Sequence, residues 1–457
     1  MRIGFLPIDD RPVCYTLPEL ITQCNSDIEI LMPDRNSLGN LTKYADTERI
    51  FEWLRGLENL DALILSLDTA AYGGLISSRR CPETFEQIKE KILKLKEILK
   101  EKSCKIYAFS SVMRISNNNV NEEEKPYWDR WGKKIFDYSY QTHKLGCESC
   151  IHNVIPTDIL EDYLNTRKRN FEINKIYLEW QKEGLFDTLI FSKDDCAEYG
   201  FNVQEAKFLQ DLGGFVKTGA DEIPMSLLSR AITDNLDCGL KVTPIFLEPE
   251  GKNLISNYED ISIEKSVKGQ LELAGCEIVE EKEADIILYV NNFKTRQGEI
   301  VMKVPTESFS ESFTPALDKP FALADVRFAN GSDNSFVKEL FKNSEILKSE
   351  NFLGYSAWNT SANSLGSLIC AMICRYCAKK NYNKKAVEKL NLTRFLDDWA
   401  YQANIRQELS APDSEELAKK MKIYENMLKD VLGIENMPEV KYSFPWKRLF
   451  EVEIEFN

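Results

Sequence analysis

Two pairs of adjacent acidic residues follow short apolar segments in the middle of the chain. The pairs are Asp194 with Asp195 and Asp221 with Glu222. Carboxylates held close together raise the pKa of one member, which can supply a proton donor and a proton acceptor near neutral pH. Hydrolysis of a glycosidic bond uses such a pair, and divalent metal ions also bind clustered carboxylates. We therefore predict that these four acids are catalytic, in one of these two chemistries.

Other residues able to bind a polar ligand follow further predicted strands. In a parallel α/β sheet the carboxyl ends of the strands meet at one edge, where ligands bind. A single acid at such a position more often caps a helix, but recurrence after five strands favours a shared site. The predicted substrate-binding residues are Asp9, Asp10, Arg11, Asp68, Tyr72, Arg114, Asp325, Trp358, Asn359 and Asn363.

Arginine and aromatic side chains at these strand ends have two interpretations. The arginines most simply pair with neighbouring acids, or they recognise a substrate carboxylate, phosphate or sulfate through bidentate hydrogen bonds. Aromatic rings such as Tyr72 and Trp358 could stack on a sugar, although aromatic residues mostly fill cores. The arginines are Arg11, Arg79 or Arg80, Arg114 and Arg327.

The two histidines of the chain lie close to two cysteines. His143, Cys147, Cys150 and His152 form the pattern H-x3-C-x2-C-x-H, whose side chains are zinc ligands in other proteins. A single C-x2-C without a second distant pair more often lies in a loop that holds thiols. We therefore predict no cofactor, and a divalent metal stays an open alternative. Nucleophile-elbow, Walker A and dinucleotide-binding motifs do not occur, and two histidines disfavour a Ser-His-Asp triad.

The elements that must position these residues alternate between strand and helix. Short apolar runs separated by helical patterns predict an α/β fold with parallel strands. The helix after residue 357 has Asn359 or Thr360 as its candidate N-cap. The predicted strands are 3–8, 28–32, 62–67, 106–112, 188–191, 215–218, 242–247, 276–279, 286–290, 321–326 and 352–357.

The arrangement of these strands stays open between a barrel and open sheets. The first 235 residues resemble part of a TIM barrel or a doubly wound sheet, and residues 240–380 resemble a flavodoxin-like sheet. Alternatively, strands 321–325 and 352–357 complete a single eight-stranded barrel. The predicted domains are a catalytic α/β domain, a flavodoxin-like domain, and a helical C-terminal segment ending in a strand, at 1–237, 238–382 and 383–457.

Composition limits the partners and the location of the protein. The 457 residues carry a formal net charge of -15, which disfavours nucleic acid and anionic membrane surfaces as partners. We find neither an apolar run long enough to span a membrane nor a signal-peptide pattern. The twelve cysteines are typical of reduced thiols, so we predict a cytoplasmic protein. The expected partner is a small molecule or oligosaccharide, and a homo-oligomer stays open.

Seven longer motifs, spread over nearly the whole chain, resemble one protein family: FLPIDDRPVCY, LDTAAYGGLISSR, SKDDCAEYG, TGADEI, GYSAWNTSANSLG, FLDDWAYQANIR and FPWKRLFE. The sequence is similar to the bacterial family called domain of unknown function 4127, and this resemblance implies no particular reaction. It supports the choice of strand-end positions.

Shorter similarities point to carbohydrate hydrolysis. TGADEI resembles the GGDEV signature of retaining β-hexosaminidases, which implies that Asp221 orients a substrate acetamido group and Glu222 is the general acid. The Asp194-Asp195 pair resembles the paired aspartates of O-GlcNAcase-like enzymes. The leading prediction is a carbohydrate hydrolase with Glu222 as proton donor and an aspartate as its orienting or nucleophilic partner. The alternatives are a metal-dependent hydrolase or lyase that uses the same carboxylates, and a non-catalytic protein that binds a sugar-like ligand.

Overall fold

The computed structural model describes residues 1–194, 197–236 and 239–456. Every predicted strand is present within two residues of its expected bounds, which confirms the α/β prediction. The strands are β1 Arg2–Leu6, β2 Glu29–Leu31, β3 Ala62–Ser66, β4 Lys105–Val112, β5 Thr188–Lys193, β6 Phe215–Thr218, β7 Lys241–Phe246, β8 Glu277–Ile278, β9 Ile286–Asn291, β10 Gly298–Glu299, β11 Phe321–Asp325, β12 Phe328–Ala329, β13 Phe352–Ser356, β14 Val440–Ser443 and β15 Glu453–Phe456.

Helices connect most of these strands. A π-helical segment, Phe395–Asn404, directly follows the helix Lys384–Arg394. Within the part of the chain that is described, every helix is too short or too polar to cross a lipid bilayer. The helices are α1 Thr16–Gln23, α2 Thr47–Gly56, α3 Leu67–Tyr72, α4 Leu75–Arg80, α5 Phe85–Lys100, α6 Trp128–Leu145, α7 Thr157–Lys182, α8 Phe201–Asp211, α9 Ile223–Leu236, α10 Ile263–Leu273, α11 Asn334–Lys342, α12 Glu345–Lys348, α13 Ser361–Cys377, α14 Lys384–Arg394 and α15 Ser414–Leu432.

Eleven of these strands form two parallel sheets with related strand orders, and the other four form two-stranded sheets, β10 with β12 and β14 with β15. The first has the order β2-β1-β3-β4-β5-β6 and the second β13-β11-β9-β7-β8. If the strands of each sheet are renumbered from 1 in chain order, the second sheet, read from β8 to β13, has the order 2-1-3-4-5. The first five strands of the first sheet, read from β2 to β5, have the same order. Strands β11 and β13 pair within the second sheet, so they do not complete an eight-stranded barrel with β1 to β6.

Apolar residues place the first sheet in a buried layer. Strand β3 is buried along its whole length, as expected for a parallel sheet covered on both faces. Helix α5 begins with a capping box formed by Thr84 and Gln87. Its residues Ile88, Ile92 and Leu95 recur at helical spacing and are buried in the same core as β3. Local sequence therefore fixes both the position of the helix and the face that it buries.

The chain divides into two compact units whose bounds differ from the predicted domains. The first contains Met1–Tyr15 and Ile30–Pro224, and the second contains Thr16–Glu29 and Met225–Asn457. The C-terminal helical segment joins the second unit because its apolar residues, such as Phe395 and Met421, share a core with Phe321 of β11. The chain passes from the first unit to the second before α1 and returns after it, which periodicity alone does not reveal.

Candidate functional site

The loops that follow β1 and β6 are joined by a buried ion pair. Arg11 Nη1 and Nη2 donate to the two carboxylate oxygens of Asp221 at 3.0 and 2.5 Å, and Arg11 Nε donates to Asp9 at 2.9 and 3.0 Å. All three residues are buried. β1 and β6 are four strand spacings apart, or about 19 Å. The two loops therefore reach across the carboxyl ends of β3, β4 and β5.

Helix α3, which follows β3 directly, contributes a buried acid to the same edge. Asp68 is the second residue of α3, and the hydroxyl of its neighbour Thr69 donates to the carbonyl of Pro7 at 2.7 Å, which ties α3 to the end of β1. The Asp68 carboxyl accepts the backbone N–H and the hydroxyl of Ser111, in β4, at 2.8 and 2.9 Å. Burial raises the pKa of Asp68 to about 7, although both bonds from Ser111 oppose the shift. Asp68 can therefore give or accept a proton near neutral pH.

A cluster of charged side chains lies at the ends of β4 and β5. Arg114 Nη2 donates to Glu123 Oε2 at 2.8 Å and Arg114 Nε to Glu124 Oε1 at 3.1 Å. Its Nη1 is 3.7 Å from Asp194 Oδ2, and the Asp194 side chain is 46% exposed. Arg79 Nε lies 3.3 Å from Glu124 Oε1. We call Arg79, Arg114, Glu123, Glu124 and Asp194 the arginine cluster.

The Glu222 carboxylate packs against the backbone of the turn that precedes it. Its Oε2 accepts the N–H of Ala220 at 3.2 Å, and the residue is 1% exposed. Gly219 has a φ of 111°, and a Cβ at this position would lie 1.6 Å from Glu222 Oε1. The carboxylate therefore fills the space that only a glycine leaves open. The proposed donor role of Glu222 stays a prediction, and Asp195 lies outside the described residues.

Two further predicted residues of the first unit have local partners. The backbone carbonyl of Asp10 accepts two bonds from Arg35, at 2.9 and 2.7 Å, and Asn40 donates to its side chain at 3.3 Å. Tyr72 is buried, and the Arg169 guanidinium lies 5.3 Å from the centre of its ring. That face of the ring is covered by protein in this conformation, so stacking of Tyr72 on a sugar would need a rearrangement.

The remaining four predicted substrate-binding residues belong to the second unit. Asp325 is fully buried and accepts bonds from Asn291, the Asp333 N–H and Tyr355, at 2.8 to 2.9 Å. Burial and the charge of Asp333 raise the pKa of Asp325. The strand-end residues predicted to share one site are therefore divided between two sheets, because Asp325 ends β11 of the second sheet.

The three others lie at the start of α13. Thr360 is the N-cap of this helix, since its hydroxyl accepts the N–H of Asn363 at 3.3 Å, and the Asn363 side chain donates to the same hydroxyl at 3.0 Å. Asn359 adopts a φ of 61° and its carbonyl accepts the N–H of Asn330 at 2.8 Å. Trp358 is buried, with its ring 6.2 Å from that of Phe450. All of these contacts stabilise the second unit itself.

The four residues of the H-x3-C-x2-C-x-H pattern, the alternative metal ligands, do not come together in the described part of the chain. Among residues 1–194, 197–236 and 239–456, no group of three or more His, Cys, Asp or Glu side chains is arranged to hold a metal ion. His143 lies in the last turn of α6 and its Nδ1 accepts the N–H of Gly200 at 3.0 Å, whereas Nδ1 of His152 lies 2.9 Å from the Ser149 carbonyl. Cys147 and Cys150 are exposed thiols. The four side chains are therefore close in sequence but do not face a common metal position.

Several residues at the edge of the first sheet were not selected from the sequence. Ser111 lies inside an apolar strand, and Lys193 is the last residue of β5 and is buried. Glu123 and Glu124 belong to a run of charged residues that is typical of a solvated loop. A polar residue in the last two positions of a buried strand is the one signal that could have identified Ser111 and Lys193.

Comparison with known proteins identifies the family but no reaction. The chain belongs to the family described as "Protein of unknown function (DUF4127)", whose model matches residues 3–455. This match confirms the family resemblance seen in the motifs. No curated protein matches the chain. The similarity of TGADEI to β-hexosaminidases stays a prediction.

Proposed function

We propose that this member of the DUF4127 family is a hydrolase that acts on a carbohydrate, with its active site at the carboxyl edge of the first sheet. The observation that carries the proposal is the contrast between two kinds of acid at this edge. Burial raises the pKa of Asp68 to about 7, whereas the Asp194 carboxylate is 46% exposed and lies beside the guanidinium of Arg114. Acetal hydrolysis needs one protonated and one ionised carboxyl group.

The protonated member of the pair is Asp68 in this proposal. Asp68 is 1% exposed, so its proton reaches the substrate through Ser111. The Ser111 hydroxyl gives its proton to the glycosidic oxygen and takes the proton of Asp68. The C–O bond to the leaving group breaks as that oxygen is protonated.

The ionised member is Asp194. Its carboxylate is the most exposed of the arginine cluster, and the guanidinium of Arg114 lies beside it. Asp194 stabilises the positive charge that develops on the sugar, or attacks the anomeric carbon directly. Water then adds to the anomeric carbon, in the second case with release of Asp194, and the proton that the water loses returns to Asp68 through Ser111. Asp221 and Asp9 fix Arg11 across the strand ends and act as positioning residues.

The strand order supports this location. In the doubly wound order 2-1-3-4-5, ligands bind beside the carboxyl ends of the strands where the order reverses, between the first and third strands. In the first sheet this point lies between β1 and β3, whose following residues include Asp9 and Asp68. We propose that both sheets have this flavodoxin-like arrangement.

A screen of chromogenic glycosides tests the function. Purified wild type is compared with Asp68→Asn, Ser111→Ala and Asp194→Asn, and with Asp211→Asn as a control on an exposed residue of α8. Loss of a group that transfers the proton or stabilises the charge of the transition state lowers the rate by about a hundredfold or more, so the first three variants should fall by that amount and the control should not. Equal rates in all five proteins would remove these residues from the mechanism.

Two other outcomes would favour the alternative functions. Metal bound in stoichiometric amounts and required for turnover would replace this mechanism with a metal-dependent hydrolase or lyase. A sugar that raises the melting temperature without being hydrolysed would favour a non-catalytic binding protein.

The cysteines support a reducing compartment. The cysteines in the described part of the chain are free thiols, most of them buried or half-buried. Free thiols are the usual state of cysteine in the cytoplasm, so we propose a cytoplasmic location.

A further inference from the structure

Two arginines of the first unit lie side by side with little access to water. Arg79 has a side chain 2% exposed, and Arg114 contacts the same two glutamates, Glu123 and Glu124. Burial, followed by the charge of Arg114, lowers the pKa of Arg79. Two guanidinium groups this close need anions around them, because each loses water and repels the other.

The carboxylates that supply this negative charge differ in exposure. Glu124 is buried and its Oε1 lies within 3.3 Å of both arginines, so it is a fixed partner. The Glu123 side chain is 24% exposed, and its Oε2 lies 2.8 Å from Arg114 Nη2 and 3.5 Å from Arg79 Nη2. One carboxylate at the surface thus bridges two cationic side chains.

The backbone around Glu123 is held independently of its side chain. Arg80 donates to the carbonyls of Asn121, Glu122 and Glu124, and Arg79 Nε donates to the carbonyl of Glu123 at 3.2 Å. The Glu123 carboxylate can therefore turn away by rotation of its own side chain, while the loop stays in place.

We infer that Arg79 and Arg114 form a binding site for an anionic group of the substrate, and that the Glu123 carboxylate occupies this site when no substrate is bound. The ligand group is a carboxylate, a sulfate ester or a phosphate ester, because these oxyanions match the planar donor fork of arginine. The identification of the ligand as an acidic sugar rests on the proposed function. The anion site itself depends only on the geometry of the arginine cluster.

A protein with a net charge of -15 repels anions in general, but it can bind one where the anion takes the place of an internal carboxylate beside two arginines. An incoming oxyanion replaces the Glu123 carboxylate beside the guanidiniums, so the two arginines keep an anionic partner with and without ligand. The incoming group must compete with an internal carboxylate, which weakens binding of simple anions. Neutral sugars cannot make this exchange, so the site selects for charge.

Equilibrium binding measured by calorimetry tests the inference without requiring turnover. The probes are galacturonate, galactose, inorganic sulfate and inorganic phosphate, and they separate the carboxylate, sulfate and phosphate sources of the anion. The proteins are wild type, Glu123→Gln, Arg114→Gln, and Glu122→Gln, which removes the same charge from an exposed neighbour.

We expect at least one anion to bind wild type more tightly than galactose does. Glu123→Gln should tighten that binding about tenfold, because the internal competitor is lost, whereas Glu122→Gln should match wild type. Arg114→Gln should abolish the binding. A gain of affinity cannot arise from misfolding, so Glu123→Gln decides the question even if Arg114→Gln is unstable.

Three results would overturn the inference: equal binding of galactose and every anion, unchanged affinity in Glu123→Gln, or the same gain in Glu122→Gln. Anion binding that behaves as expected in a protein without glycosidase activity would keep the anion site and reject the proposed function. Glycosidase activity without anion binding would do the reverse.

Discussion

The guanidinium of Arg11 contacts both carboxylate oxygens of Asp221, although 210 positions separate the two residues along the chain. Three strands lie between β1 and β6 in the sheet, so this contact joins loops from distant strands. Asp9 contacts the same guanidinium, which leaves two buried carboxylates dependent on one cation. The ion pair therefore determines how the loops cover the ends of β3, β4 and β5.

Arg11→Ala should be strongly destabilising. Removal of the guanidinium leaves Asp9 and Asp221 buried without their cation, and loss of one partner of a buried pair costs about 3–5 kcal/mol. Urea unfolding measures the change. Lys207→Ala is the control, because it removes an exposed pair with Asp211 that is worth about 1 kcal/mol or less. Equal losses in both variants would mean that the buried pair does not hold the loops.

Gly219→Ala tests the position of the Glu222 carboxylate. Gly213 also has a positive φ, of 94°, but has open space around its Cβ position. Both alanine variants should lose about 1–2 kcal/mol from the backbone conformation. Gly219→Ala should lose more, because its methyl group meets Glu222. Unfolding free energies that are no lower for Gly219→Ala than for Gly213→Ala would contradict the turn described here.

The raised pKa of Asp68 predicts a dependence of stability on pH. The folded state holds the Asp68 proton up to about pH 7, whereas the unfolded state releases it near pH 4. Between these values the folded protein binds one more proton, so this group's contribution to stability is fully present below about pH 4 and is lost as the pH rises through 7.

Asp68→Asn removes this titration. The free energy of unfolding of the variant should fall less steeply with pH between about 4 and 7, by roughly one proton's worth of slope, than that of wild type. Denaturant titrations at several pH values measure the difference, with Asp211→Asn as the control. An identical slope in wild type and Asp68→Asn would show that Asp68 is ionised in the folded protein.

The start of α13 gives a comparison of two adjacent residues. Thr360→Ala should cost about 1 kcal/mol because it removes the N-cap oxygen that accepts the Asn363 N–H. Asn359→Gly should be neutral or slightly stabilising, since Asn359 has a positive φ that glycine adopts freely. Thermal unfolding separates the two cases, and a larger loss in Asn359→Gly would reverse the assignment of the cap.

The sequence predicted the positions of the strands better than the side-chain contacts between distant loops. Apolar runs with polar ends located every predicted strand, because burial in a parallel sheet needs such runs. The pairing of Arg11 with Asp221 depends on loop paths that periodicity does not encode. The approach of Glu123 to Arg79 and Arg114 was equally hidden, since a charged run usually lies in solvent. Asp325 and Asp68 followed the same local pattern and belong to different sheets.

The pH dependence of glycoside hydrolysis in wild type and Asp68→Asn tests the central claim most directly. The rate kcat/KM is measured from about pH 5 to 9 with the glycoside found in the screen. We predict that the wild-type rate falls as the pH rises through an apparent pKa of about 7, and that Asp68→Asn is at least about a hundredfold slower and lacks this fall. An Asp68→Asn protein with the wild-type rate and the wild-type pH profile would contradict the assignment of Asp68 as the proton donor.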